Sequence, residues 1–189
     1  MRKILFISGI GLIIIFLVYC GIRIFSPFTG PVTKTDKPEN QAVTFRISSG
    51  AFTDGSDIPV KYTCDGSDIS PPVSVSGIPE SAKSLIILLD DKDTPSGTWV
   101  HWLMWNIPAG VSEIPENSVP AGAIQGKNGF GDNSYGGPCP PTCRHRYLFT
   151  MYALDTYLTL PSGSTKEEVI NSVNTHILSR AEYSGYYTR

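Results

Sequence analysis

From residue 43 onward, apolar and polar side chains alternate in short runs broken by turn formers. VTFRIS (43–48) alternates cleanly, as a half-buried strand does. IPVKYT (58–63) repeats the pattern between TDGSD and CDGSDISPP, both dense in turn residues. SLIILLD (84–90) is apolar almost throughout and ends in acids, which predicts a central strand buried on both faces. HWLMWNIP (101–108) and RYLFTMYALD (146–155) complete the strand candidates. Such segments, separated by glycine and proline, predict an antiparallel β-sandwich. One helix is predicted late. Thr165 and Glu168 form the T-x-x-E of a capping box, and Val169, Val173, Ile177 and Ala181 then recur every four residues beside Ile170. The expected fold is mainly β, with a C-terminal helix covering one end of the sheets.

The first 25 residues follow a different pattern. Arg2 and Lys3 precede ILFISGIGLIIIFLVYCGI (4–22), which carries no charged side chain. A bilayer-spanning helix needs roughly 17–25 apolar residues, whereas the core of a cleaved signal is usually about 7–15. The run therefore predicts an N-terminal transmembrane anchor or signal segment over 1–25. Its basic flank keeps the N-terminus in the cytoplasm and sends the rest outside. Cys20 in LVYC leaves a lipoprotein or secreted form as alternatives, although Tyr19 is bulky for a lipoprotein cleavage box. Residues 26–42, SPFTGPVTKTDKPENQA, have little to bury and read as a polar linker, leaving 43–189 as the domain.

Composition narrows the partners. The 189 residues suffice for one ordinary domain plus a leader, and a formal net charge of −2 gives no basic footprint for nucleic acid. A small anionic ligand stays open, because a pocket needs only a few local donors. Candidate chemistry gathers in two stretches. Asp90, Asp91 and Asp93 follow the buried strand, Pro95 biases Thr94 to extended backbone, and His101 begins the next strand just behind Trp99. YGGPCPPTCRHRY (135–147) is a stiffened loop ending in His145 and Tyr147. Taken singly, each has an ordinary structural explanation: aspartates cap turns, a lone histidine is satisfied within a fold, and Trp99, Trp102 and Trp105 supply core. If the two strand beginnings converge, two imidazoles, a carboxylate and aromatic rings share one small concavity.

DDKDTPSGTWVHWLMWNIP resembles the D-x-D-x-P … W-x-H-W signature of the phosphatidylethanolamine-binding protein family, and YGGPCPPTCRHRYLFTMYALD resembles its Y-x-G-P-x-P-P … H-R-Y signature. YTCDGSDISPPVSVSGIPESAKSL and HILSRAEYSGYYTR are similar to its bacterial and archaeal Raf-kinase-inhibitor-like branch, so the resemblance spans about 44–189. It implies a Greek-key β-sandwich with an anion pocket at one end. By motif, the implied ligand-binding residues are Asp91, Asp93, Pro95, Trp99, His101, Tyr135, Pro140, Pro141, His145 and Tyr147, with Asp91, His101 and His145 closest to the anion. Lys92 stands where many relatives have proline, and Thr142, Cys143 and Arg144 where the branch commonly has small residues. Arg144 either clamps a phosphate or points to water. The resemblance brings Cys64 and Cys139 to the pocket end, which favours a disulfide between them; Cys139–Cys143 is the rival pairing. No C-x-x-C spacing supports zinc, and no cofactor motif is present.

The chemistry expected of the pocket follows from imidazole, whose ordinary pKa of about 6.5 lets it carry a proton and donate to an anionic oxygen near neutrality. Asp91 then orients one histidine while the other ring nitrogen meets the ligand, and Tyr147 adds a neutral hydroxyl donor. The rigid Gly-Pro-Cys-Pro-Pro wall lowers the ordering cost of binding. The expectation is an exported, membrane-tethered binding protein for phosphate-like groups, not an enzyme, since no nucleophile elbow appears. The alternatives are a protein-interaction module that inhibits a hydrolase or kinase, and an Asp/His acid–base enzyme acting on phosphates or sugars.

Overall fold

The computed structural model describes residues 44–95 and 97–189. The leader and linker expected over 1–25 and 26–42 lie outside the described residues. Among the described residues no helix is long and apolar enough to cross a membrane.

Among the described residues, nine strands and one α-helix are formed. They are β1 (Arg46–Ser48), β2 (Ser56–Asp57), β3 (Val73–Ser76), β4 (Ser84–Asp91), β5 (Trp99–Pro108), β6 (Glu113–Ile114), β7 (Ile124–Gln125), β8 (His145–Leu154), α1 (Lys166–Val173) and β9 (Ile177–Tyr187). A three-stranded sheet runs β1-β3-β6, and a six-stranded sheet runs β2-β9-β8-β4-β5-β7. All pairings are antiparallel except β2 with β9, which run parallel and so depart from the wholly antiparallel sandwich expected.

The pleat of β4 decides the layering. All eight of its residues are buried. Leu85, Ile87 and Leu89 point into the core between the two sheets, with Val75, Met104 and Phe149. Ile86 and Leu88 point the other way, into a second core with Leu103, Trp105, Val169 and Val173 of the helix. A strand covered on both faces has no polar side to show, which is why SLIILL reads as an unbroken apolar run. Continuing the alternation, Asp90 turns to the helix face and Asp91 to the inter-sheet face. Asp90 accordingly pairs with Lys166 at the start of α1 and with Lys92, each at 2.8 Å.

Two expected elements come out differently. IPVKYT is not a strand: Val60–Tyr62 forms a 3-10 turn, closed by the Tyr62 amide donating to the Pro59 carbonyl and the Thr63 amide to Val60. Pro59 lacks the N–H a ladder needs. The helix is neither C-terminal nor as long as the four-residue spacing implied. Its capping box is present, with Thr165 and Glu168 each bonded to the other's backbone, but it ends at Val173 and lies on the outer face of the six-stranded sheet. Ile177 and Ala181 belong to β9, where Ala181, Tyr183, Gly185 and Tyr187 are buried alternately. The i+4 spacing across Asn174 joined a helix to a strand whose own period is two.

Candidate anion pocket

Beyond the ends of β4, β5 and β8 lies a cavity of about 230 Å³ lined by Asp91, Thr94, Pro95, Trp99, His101, Phe130, Cys139, Pro140, Pro141 and His145. In the sheet β4 stands between β8 and β5, so its terminal residue Asp91 is flanked by Tyr147 on one side and Trp99 on the other. His145 lies two residues before Tyr147 on β8, on the same face. His101 needs a further device. The β4–β5 register slips between Leu89↔Trp102 and Asp90↔Val100, leaving His101 as the extra residue of a β-bulge. Trp102 faces the inter-sheet core, so strict alternation would send His101 to the helix side. The bulge re-aims it onto the Tyr147 ring, whose centroid is 5.2 Å from its own.

Each histidine is held by one ring nitrogen. His145 Nδ1 donates to Asp91 Oδ2 at 2.7 Å, and both residues are more than nine-tenths buried. Asp91 Oδ1 accepts the Asp93 amide at 2.9 Å, so the carboxylate is fixed at both oxygens. His101 Nδ1 donates to the Gly136 carbonyl at 2.7 Å. Burial pushes the His101 imidazolium below its ordinary range, and this outweighs the raising influence of the Gly136 carbonyl and of Asp91. His101 is therefore a neutral imidazole near pH 7, with Nε2 as an acceptor. This differs from the expectation that both rings carry a donating proton.

The cavity includes Asp91, Pro95, Trp99, His101, Pro140, Pro141 and His145 among the residues the sequence singled out. It does not include Asp93, Tyr135 or Tyr147. Asp93 is the loop's brace, its Oδ2 accepting the Arg146 amide at 2.6 Å. Tyr135 turns away from the histidines and donates its hydroxyl to the Tyr62 carbonyl at 2.6 Å. Tyr147 lies beneath both imidazoles, fully buried; among the described residues its hydroxyl has no partner in good hydrogen-bond geometry, although the Asp91 carboxylate and the Cys139 backbone act on it. Burial, reinforced by the Asp91 charge, drives that phenol far above its ordinary value, so it stays protonated. Arg144 is committed elsewhere, pairing with Asp57 at 2.7 Å and lying over the Tyr186 ring.

Phe130 is the wall residue that motif reading missed. It is 50 % exposed and meets Trp99 and His101 edge-on, at centroid distances of 5.5 and 5.4 Å. Buried Asn128 holds it there: its Oδ1 accepts the Phe130 and Asp132 amides, each at 2.9 Å, and its Nδ2 donates to the Ser134 carbonyl. An aromatic amid the turn formers of KNGFGDNS was the available signal. Gly129 is required next to it, because a Cβ there would run into the Trp99 indole. Cys64 and Cys139 are joined as a disulfide with Cα atoms 5.4 Å apart, which ties the proline wall to the 3-10 turn; Cys143 is free and exposed.

The family model for phosphatidylethanolamine-binding protein matches residues 48–188. A UPF0098 protein of Methanothermobacter thermautotrophicus is 45 % identical over 148 residues, covering 76 % of this chain and 98 % of its own. Among solved structures, a phosphatidylethanolamine-binding protein homologue of Chlamydia trachomatis is 40 % identical with a TM-score of 0.75, covering 77 % of this chain and 98 % of its own. E. coli YbcL, a member of the mammalian PEBP family, is 32 % identical with a TM-score of 0.73 over the same shares. With the fold, most of the chain and relatives matched nearly end to end all agreeing, the chain belongs to the phosphatidylethanolamine-binding protein family.

Proposed function

We propose that the domain binds a small phosphate-like group in the cavity between His101 and His145. The candidate sources are a phosphorylated metabolite, a lipid head group, or a phosphorylated or acidic side chain. The observation that carries this reading is the division of labour between the imidazoles. With Asp91 fixing its Nδ1, His145 keeps Nε2 for the cavity as the donor to an anionic oxygen. Neutral His101 accepts a hydrogen bond from the ligand's own P–OH. One donor and one acceptor match a monoprotonated phosphate better than two cations would.

Binding is favoured over catalysis by what surrounds the rings. Cys139 is locked in its disulfide, and the Thr94 hydroxyl donates to the Gly97 carbonyl, so neither stands ready as a nucleophile for an imidazole base. The aromatic and proline walls give the ligand a preformed space. The apolar run at 4–22 with its basic flank supports the further reading that the domain is exported on a membrane tether; protease reaching it in intact cells is the expected result, and full protection would refute export.

Calorimetric titration of the full-length protein with inorganic phosphate tests the pocket. Affinity rises as pH falls from alkaline to mildly acidic, because a protonated imidazole supplies charge to an anion, and His145→Ala loses at least about tenfold. Phosphate affinity unchanged by that substitution would remove the reading.

A further inference from the structure

A second cavity, of about 280 Å³, borders the same 134–137 segment and shares no lining residue with the histidine pocket. Its chemistry is different. Asp68 is the one charged residue lining it, so anions are repelled. Asp68 Oδ1 accepts the Gly137 amide at 2.6 Å, and its carboxylate lines the cavity. The Trp102 indole N–H donates to Gln125 Oε1 at 2.9 Å, which leaves the Gln125 NH₂ donors for other partners. Ser70 is 5 % exposed and brings its hydroxyl to the lining. The Asn117 amide donates to the Ser70 carbonyl at 3.0 Å and so brings a second side-chain amide to the rim. The Tyr135 ring, edge-on to Trp102 at 5.7 Å, closes one side.

We propose that this cleft is a second binding site, selective for a neutral, hydroxyl-rich group the size of one sugar ring. An ammonium could pair with Asp68 but offers no acceptor to the donors of Gln125, Asn117 and Ser70. A phosphate or carboxylate would face Asp68. Hydroxyl groups both donate and accept, so they satisfy Asp68, Gln125, Asn117 and Ser70 together. The volume falls just below the roughly 300 Å³ at which pockets for drug-sized ligands begin, which suits a single ring.

The test follows the tryptophan indole N–H resonances of the full-length protein as D-glucose, D-galactose or D-mannose is added, with ethylammonium and inorganic phosphate as comparison probes. At least one sugar shifts the Trp102 signal with millimolar half-saturation, while ethylammonium and phosphate leave it in place. Asp68→Asn and Ser70→Ala each weaken that response about tenfold or more, and Ser70→Ala, remote from the histidines, keeps its phosphate response. The proposal is overturned if no sugar moves Trp102 up to about 100 mM, if ethylammonium moves it instead, or if both variants respond like the wild type. None of these outcomes depends on phosphate binding at the histidines.

Discussion

At the scale of single residues, the pocket rests on two buried imidazoles with opposite commitments and one buried phenol without a partner in good geometry. Asp91 and His145 were legible as a carboxylate and a histidine that family motifs bring together. The neutral state of His101 was not, because it depends on burial and on the Gly136 carbonyl, and neither is written in residue type. The sign of its effect on stability is clear. The folded chain holds His101 below its ordinary pKa, so below about pH 6.5 the unfolded chain takes up a proton that the folded one resists. Its contribution is full above that pH and is lost as pH falls toward the folded value. Without ligand, urea unfolding midpoints therefore decline from about pH 7 to about pH 5 more steeply in the wild type than in His101→Gln. Identical slopes would contradict the assignment. Tyr147 gives a second prediction. Its fully buried hydroxyl lacks a partner in good geometry and carries a desolvation penalty that Tyr147→Phe removes, so the variant is at least as stable in urea, with a gain of up to about 1 kcal/mol. A loss of stability would mean that the hydroxyl has a partner.

At the scale of elements, what positions the site is a departure from regularity. The β4, β5 and β8 strands were legible because burial on both faces or one leaves a period that sequence displays directly. The bulge that turns His101 beside Trp102 leaves no such trace, since both residues suit an ordinary strand. The short helix was overextended in sequence for the converse reason: Ile177 and Ala181 continued its spacing by chance into β9. The 134–137 segment works as a unit too. Gly136 holds His101 through its carbonyl while the Gly137 amide is held by Asp68. A Cβ at Gly137 would lie 2.6 Å from both Asp68 Oδ1 and the Tyr62 carbonyl oxygen, with backbone on one side unable to yield. Gly137→Ala is therefore expected to destabilise the protein by about 1–3 kcal/mol and to displace the His101 imidazole resonance, measured by urea unfolding and NMR. A variant of wild-type stability with an unmoved His101 signal would show that the segment does not position the ring.

At the scale of the whole molecule, two sheets enclose one core while a helix encloses another, and the pocket opens where β4, β5 and β8 end together. That placement joins the functional residues without asking any of them to stabilise the core. The disulfide between Cys64 and Cys139 fastens the pocket wall across 75 residues of chain, and the C-terminus returns to the same corner, with Tyr187 and Arg189 both on Asp65. The architecture was legible once two separated motifs were read in order. The second cleft was not, because its lining comes from five distant stretches that only the fold assembles. The central claim is that Asp91-bound His145 and neutral His101 grip a phosphate-like group together. Its most direct measurement is NMR titration of the imidazole resonances of the full-length protein, with and without inorganic phosphate. The account predicts that phosphate shifts both His101 and His145 and leaves half-buried His176 in place. Phosphate that leaves both pocket imidazole resonances where they stood would contradict it.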